Sequence, residues 1–481
     1  MKRMILALAM AGLSVAVSAS PPPAGVGPPA RGTLAQAPGT GDAALAAFRT
    51  ALEQGGLSYL AGSVSTTDWA GQYCFGNRPN AGYVNKAPYL MIQVPRSADD
   101  SSQVENFKLR PDEAIVLIGP TPPPVKYFGY NTFLASRIFP DDPAGARRPL
   151  VATLGDAVNN ATIRTTGPSP FGTPVVMIFT PDRVTDARIR AALRRSGYPS
   201  ALVNTMVFPS SLLKLGHGAM ADELTLKMRI GMAEGDPALL EAYLNSAGTT
   251  QTVYRVTPRK TMSASPFPVT PLRARGSGQT ELDLMKTVDE LREAIIAANP
   301  GLHAVEFRSK PVGYEGYDYI QQGVNPGADS RDNLFLAAGY IPEFGLTSQL
   351  TLADDEFLVV YGANHVATGK AAYASFNVYS SDEGKLSIGQ VFHDQFEGTA
   401  GSYLPSGDPA VSMLYAYKVS RNCAGEPNCV TLSVDNCPRL AIGDDTILGF
   451  FFRMYLEPAT ATGPAMQEIV YDRVIKFSPR P

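Results

Sequence analysis

Between Pro174 and Pro258 the hydrophobic pattern switches repeatedly between strand and helix periods, and this restricts the possible folds more than any other feature of the chain. Val175–Thr180 (VVMIFT) is a continuous apolar run of strand length. Asp186–Arg195 carries Ala187, Ile189, Ala191, Ala192 and Leu193 near helical spacing and ends at Gly197, a C-cap residue. Val203–Phe208 reads as a second strand. Leu224–Ala233 alternates as Leu-Thr-Leu-Lys-Met-Arg-Ile, the pattern of a strand with one face in solvent. Asp236-Pro237 sets an N-cap before a proline at the first helical position and opens a helix to about Ser246. Thr252–Thr257 (TVYRVT) closes the set. The order βαββαβ predicts a ferredoxin-like plait over residues 166–275, with two helices on one face of a four-stranded antiparallel sheet. Such a fold assigns no function by itself.

The flanks are β-rich, so the expected class is α+β, with the central plait between two β-rich regions. Asp42–Gln54 places Leu45, Phe48 and Leu52 on one helical face; Tyr89–Val94 and Ala114–Ile118 follow as strands of a domain over 41–165. A helix near Glu281–Ala298, with Leu282, Met285, Val288, Leu291 and Ile295 on one side, belongs to a connecting region over 276–345. Phe357–Tyr361, Ala372–Tyr379, Ser412–Val419, Ile447–Tyr455 and Glu468–Phe477 make 346–481 a second β-rich domain.

An internal echo links the two β-rich regions. Asn106–Gly119 aligns with Gln349–Gly362, and Leu109/Leu352, Asp112/Asp355, Glu113/Glu356, Val116/Val359 and Gly119/Gly362 coincide. Each copy reads as an alternating strand, an acidic turn, a buried strand and a glycine exit. Two readings fit: chance likeness of two hairpins, or a duplicated β-module packed as a pseudo-symmetric pair.

Residues 1–19 have the form of a signal peptide: Lys2 and Arg3, the short apolar stretch Met4–Val17, and the small residues Val17-Ser18-Ala19. Residues 20–40, rich in Pro, Gly and Ala, read as an extended linker. A chain cleaved near Ser20 is expected in the periplasm or the medium, with no membrane span. Without Lys2 and Arg3 it carries 39 basic against 44 acidic residues, a formal charge of −5 that disfavours nucleic acid as a partner.

In such an oxidising compartment the four cysteines read as two disulfides. Cys423 and Cys429 bound a short turn-rich loop that closes on itself, which leaves Cys74 for Cys437. A zinc site for the cluster lacks a CxxC pair and a nearby histidine.

Chemistry is expected where the echoed copies part. Gly119 is followed by Pro-Thr-Pro-Pro-Pro, a stiff turn, whereas Gly362 leads into Ala-Asn364-His365-Val-Ala-Thr368-Gly369-Lys370. Loops on strands commonly carry function. His365 has the proton-transfer range, and Lys370 after a glycine, with Asn364, can face an anion. His393-Asp394 supplies a second acid/base pair, with Glu397 one helical turn on. Both stretches read equally as polar loops. Only four histidines occur, His217, His303, His365 and His393, so no His-rich metal site is expected, and no cofactor fingerprint appears. Ser211-Leu-Leu-Lys214 matches SxxK without its partner motifs. Asp329-Ser-Arg-Asp332-Asn333 lacks the regular calcium-loop spacing. Tyr127, Tyr130, Tyr314 and Tyr317 lie in tyrosine-rich segments suited to a sugar or planar ligand, or to half-buried packing. Arg453, inside the apolar run Leu448–Leu456, requires a partner: Glu457 or Asp472 as an ion pair, or a ligand carboxylate.

Two functions follow as expectations. The first is an extracytoplasmic hydrolase-type enzyme using metal-independent acid/base chemistry in the C-terminal β domain, with His365, His393 and Asp394 as its catalytic groups. The second is a non-catalytic binding protein that grips a glycan or small ligand through the tyrosine loops.

Overall fold

The computed structural model describes residues 41–84, 88–143, 145–405, 407–434 and 436–480. The expected signal peptide and linker, residues 1–40, lie outside the described residues. Strands dominate, with helices laid against them, and the architecture is a mixed α+β fold of strongly curled sheets.

In the N-terminal half, one sheet runs in the order Arg148–Thr153, Phe128–Arg137, Glu223–Ile230, Tyr89–Pro95, Leu57–Thr66, Thr252–Pro258, Ala114–Pro120, Pro174–Thr180, Val203–Val207. All neighbours are antiparallel except the last two, which are parallel. The sheet folds over on itself at Leu57–Thr66. The first part of that strand pairs with Thr252–Pro258 and its last four residues with Tyr89–Pro95. At the crossover stands Gly62, where a Cβ would lie 2.4 Å from the Gln93 carbonyl oxygen. Only glycine permits that approach.

The plait does not form. The predicted strands and helices are present, with the helices at Arg183–Arg195 and Pro237–Thr250, but the strands take other partners. Glu223–Ile230 lies between Phe128–Arg137 and Tyr89–Pro95, and Thr252–Pro258 between Leu57–Thr66 and Ala114–Pro120. The sheet thus passes through residue 165 without a break. The alternation over Leu224–Ala233 predicts a half-exposed strand, yet the strand ends at Ile230 and its Lys227 and Arg229 are buried. Their face is covered by the other half of the molecule.

The strand order of the first half recurs in the second. It runs Leu386–Phe392, Tyr373–Ser380, Leu448–Tyr455, Asn333–Ile341, Lys310–Val312 on one side. On the other it runs Leu302–Arg308, Arg473–Pro479, Phe357–Ala363, Leu414–Ser420, Cys429–Thr431. The last pair is again parallel. Ser309 separates the two strands that replace the single bent Leu57–Thr66. Helix Asp42–Gln54 precedes that strand in the first half, and helix Met285–Ala297 precedes Leu302–Arg308 in the second.

The echoed segments sit at the centre of this repetition. Glu113 Oε2 accepts from the Arg110 N–H at 2.9 Å, and Glu356 Oε2 from the Ala353 N–H at 2.9 Å. Phe107 bridges to Leu224 as Leu350 bridges to Leu448. Glu113 then pairs with Arg255 at 2.6 Å, and Glu356 with Lys476 at 2.7 Å, from matching strands. The halves differ in their crossovers: helix Arg183–Arg195 links the parallel strands of the first half, while the second uses the short loop closed by Cys423–Cys429.

Each half encloses its own core. In the first, Leu90, Leu117, Phe128, Leu134 and Met228 pack under helix Pro237–Thr250 through Tyr243 and Ala247. In the second, Leu334, Leu358, Phe376, Phe450 and Phe452 pack together. The second disulfide, Cys74–Cys437, joins the halves across 363 residues, so both pairs are those expected from the sequence. Among the described residues no helix is long and apolar enough to cross a membrane.

Candidate functional site

Where the two halves face each other, a cavity of about 310 Å³ opens between the strands Glu223–Ile230 and Leu448–Tyr455. Arg78, Lys227, Arg229 and Arg453 line it beside Trp69, Tyr83, Tyr89, Phe335, Phe344 and Phe451. No carboxylate is among its described lining residues. A volume of this size is within the range of small-molecule pockets, about 300–1,000 Å³.

The side chains reach the cavity through strand alternation. Arg229 pairs with Tyr89 on one neighbouring strand, and Arg453 pairs with Phe335 in the same way. Each guanidinium lies over the ring beside it: Arg229 over Tyr89 and Phe133 at 5.8 and 5.7 Å, Arg453 over Phe335 and Tyr379 at 5.6 and 5.7 Å. Cation–π contact stabilises such charges in part. Arg453 donates from Nη1 to Asn377 Oδ1 and from Nη2 to the Tyr83 carbonyl, both at 2.8 Å. Neither Glu457 nor Asp472, its expected partners, pairs with it.

The N-terminal wall holds charge with less compensation. Arg229 Nη2 donates to the Ala328 and Asp329 carbonyls, but its Nε is buried without an acceptor, as is Nε of Arg78. Lys227 is 8% exposed, and its ammonium lies over Trp69 and Phe133 at 5.0 and 5.5 Å. No hydrogen-bond acceptor meets that ammonium among the described residues. Burial, followed by Arg229, pushes Lys227 down to about 8, against the weaker pull of Glu105. Isolated buried charges are expensive unless something pairs with them. This wall therefore carries buried positive charge that no carboxylate among its described lining residues neutralises.

The residues singled out from the sequence are dispersed, and most are already occupied. Asp472 and Glu281 hold His365 between them, with Nδ1 2.9 Å from Glu281 Oε1 and Nε2 3.3 Å from Asp472 Oδ2. Tyr415 and the Val470 N–H complete the shells of those carboxylates. Burial opposes the charge on His365, but the two carboxylates overcome it and push the group up to about 10. Both ring nitrogens are engaged, so the expected proton shuttle is instead a locked imidazolium. Lys370 is likewise spent: its ammonium meets Glu457 at 2.5 Å, Glu468 at 2.6 Å and the Gln279 carbonyl at 2.9 Å. Such neutralisation leaves nothing for an external anion. Asn364 caps its own turn, accepting from the Val366 and Ala367 N–H groups.

His393 and Asp394 do not form a hydrogen-bonded pair. His393 is buried edge-on to Tyr373 with Nδ1 unpartnered, and Asp394 is exposed. Burial lowers the His393 pKa. The four tyrosines share no groove. Tyr130 is buried in the first core, and Tyr127 donates to Asp332 at 3.0 Å. Tyr314 lies under Arg275, and Tyr317 lines a separate cavity beside Asp156 and Arg273. The stretch Asp329–Asn333 joins the halves: Asp329 accepts from Thr153 and Gly316, and Asp332 also accepts from Asn159. Among the described residues no cluster of three His, Cys, Asp or Glu side chains is placed to hold a metal ion.

Of the residues picked from the sequence, only Arg453 lines the inter-half cavity. Lys227 and Arg229 were missed because cations alternating along a strand look the same whether they face water or a cavity. The available signal was the second echo, Leu-Lys-Met-Arg-Ile at 226–230 against Phe-Phe-Phe-Arg-Met at 450–454, which puts an arginine at the same register in both halves.

No protein-family model and no curated protein matches the chain. Among solved structures it is similar to the VPA0106 protein from Vibrio parahaemolyticus, with 10% identity over 91% of this chain and 98% of that one, at a TM-score of 0.37. It is also similar to an uncharacterized protein from Burkholderia cenocepacia, with 9% identity over 90% of this chain and 87% of that one, at a TM-score of 0.33.

Proposed function

We propose that this chain is an exported binding protein for a small organic anion, held in the cavity between its two halves. One observation carries the reading: Lys227, Arg229, Arg78 and Arg453 converge on one aromatic-lined space whose described lining contains no carboxylate. An anion entering it meets donors that are already desolvated and oriented, which lowers the cost of binding. The export half of the reading rests on the form of residues 1–19 and on two disulfides suited to an oxidising compartment. The hydrolase reading is not retained, because its proton shuttle His365 and its anion holder Lys370 are both consumed by internal ion pairs.

Isothermal titration calorimetry of the purified chain with phosphate, glutarate and 4-phenylbutyrate tests the proposal. At least one should bind with a dissociation constant below 1 millimolar, taken as roughly the threshold of specific recognition. The same titration should be flat for Lys227→Met and weakened for Lys227→Arg. Absence of heat from all three anions, or undiminished binding by a folded Lys227→Met protein, would remove the proposal.

A further inference from the structure

The two walls of the cavity occupy equivalent places in the repeated fold, yet their chemistry differs. Register equates Lys227 with Phe451 and Tyr89 with Phe335, since Lys227 and Phe451 each stand two residues before the shared arginine. Repetition alone would give matching charge on both sides. Instead the N-terminal wall adds Lys227 and Arg78 to its arginine, whereas the C-terminal wall surrounds Arg453 with Phe335, Phe344 and Phe451.

The two arginines differ in the same sense. In the second half Asn377 turns its carbonyl oxygen to Arg453. In the first, the equivalent Asn131 accepts from Ser330 and donates to the Gly129 carbonyl, so it does not reach Arg229. Arg453 is also enclosed by Phe335, Tyr379 and Phe451 at 5.4 to 5.7 Å. Its η nitrogens are committed. Lys227, Arg229 and Arg78 all belong to the N-terminal side, where Arg229 Nε and Arg78 Nε are buried without acceptors.

Opposite them, Phe335 and Phe344 both meet Phe451 edge to face, at 6.3 and 6.2 Å between centroids. Val312 extends this wall. Such a surface has nothing to offer a second charge and favours hydrocarbon or ring faces.

Resting on the binding reading above, we infer that the ligand is an amphiphilic monoanion, with one anionic head against Lys227, Arg229 and Arg78 and an apolar body against Phe335, Phe344 and Phe451. A dicarboxylate of the same length would bury its second charge against phenylalanine.

Competition between 4-phenylbutyrate and glutarate on the purified chain tests this. 4-Phenylbutyrate should bind at least tenfold more tightly than glutarate and than inorganic phosphate. Phe451→Lys, which places a cation at the position equivalent to Lys227, should reverse the order in favour of glutarate. If that variant does not fold, Phe451→Ala should narrow the ratio below threefold. Tighter binding of glutarate than of 4-phenylbutyrate by the unmodified chain overturns the amphiphile and leaves the anion site standing. A ratio unchanged in Phe451→Ala does the same. Failure of all three anions to bind overturns both readings together.

Discussion

Arg229 and Arg453 hold equivalent positions in the two halves, and each donates from Nη2 to a backbone carbonyl of the opposite half, at Ala328 and Tyr83 respectively. The accepting loops match as well. Gly82-Tyr83 and Gly327-Ala328 both take consecutive left-handed conformations, with φ of 77° and 57° in one and 75° and 56° in the other. A left-handed Tyr or Ala costs energy that glycine avoids. The guanidinium bond offsets that cost by satisfying the carbonyl it exposes. Arg453→Met should therefore lower the unfolding free energy by about 1–3 kcal/mol, the usual range for losing a charged hydrogen bond to a buried group. Calorimetric melting checks this, and an unchanged or higher melting temperature would contradict it.

Lys227 is expected to behave in the opposite way. Its ammonium faces Arg229 and Arg78, with Glu105 as the opposing charge, and burial is the largest influence on it. In the fold it titrates at about 8, below its ordinary 10.5. Between those values the unfolded chain binds more protons, so stability rises with pH through that window. Below pH 8 the full penalty is present. Lys227→Met should thus raise the melting temperature at pH 7, and the gain should shrink toward pH 10. Anion affinity in the unmodified protein should fall as pH passes 8, because the receiving charge is lost. A Lys227→Met protein less stable than its parent at pH 7 would contradict the assignment of this residue as an unpaired charge.

The sequence made the elements legible but not their partners. The runs at Val175–Thr180 and Thr252–Thr257 announce strands by composition alone, and Asp236-Pro237 announces a helix start by its capping chemistry. Pairing is non-local. Nothing within residues 174–258 indicates that Tyr89–Pro95 will pair with Glu223–Ile230, or that Ala114–Pro120 will pair with Thr252–Pro258. The Asn106–Gly119 echo was the clearer of two visible traces of the repeated topology, because its acidic turn is set by a local Glu-to-backbone bond. Arg453 stood out because an apolar run made its charge conspicuous. His365 drew attention as a titratable group in a polar loop, but the residues that lock it lie 84 and 107 positions away.

That lock has a spectroscopic signature. With Glu281 and Asp472 on its two nitrogens, His365 is raised to about 10, above its ordinary 6.5. The sign follows: its contribution to stability is complete below about pH 6.5 and is lost as pH rises through 10. In a proton NMR titration the His365 Cε1–H resonance should stay at its imidazolium position from pH 6 to about 9, and His365→Gln should remove that resonance. A midpoint near 6.5 would show that the two carboxylates do not hold it, and would reopen its candidacy as an acid/base group.

The two disulfides should separate in both stability and binding. Cys423–Cys429 closes a span of 6 residues, whereas Cys74–Cys437 closes one of 363. Loop-closure entropy grows with span, so the long bridge should contribute more, with losses of about 2–5 kcal/mol typical when a native disulfide is removed. The long bridge also serves the cavity. Cys74 ends the helix Trp69–Cys74, whose first residue supplies the Trp69 ring beneath Lys227 and Arg78. Arg439, two residues after Cys437, donates to the Tyr73 and Arg78 carbonyls and fixes the same segment. The double variant Cys74→Ser, Cys437→Ser should therefore melt lower than Cys423→Ser, Cys429→Ser and lose at least tenfold in affinity for 4-phenylbutyrate. The short-bridge variant should keep its affinity, because its loop joins strands on the far side of the second half. Equal affinity in the two variants would show that the Trp69 wall holds its place without the covalent tie.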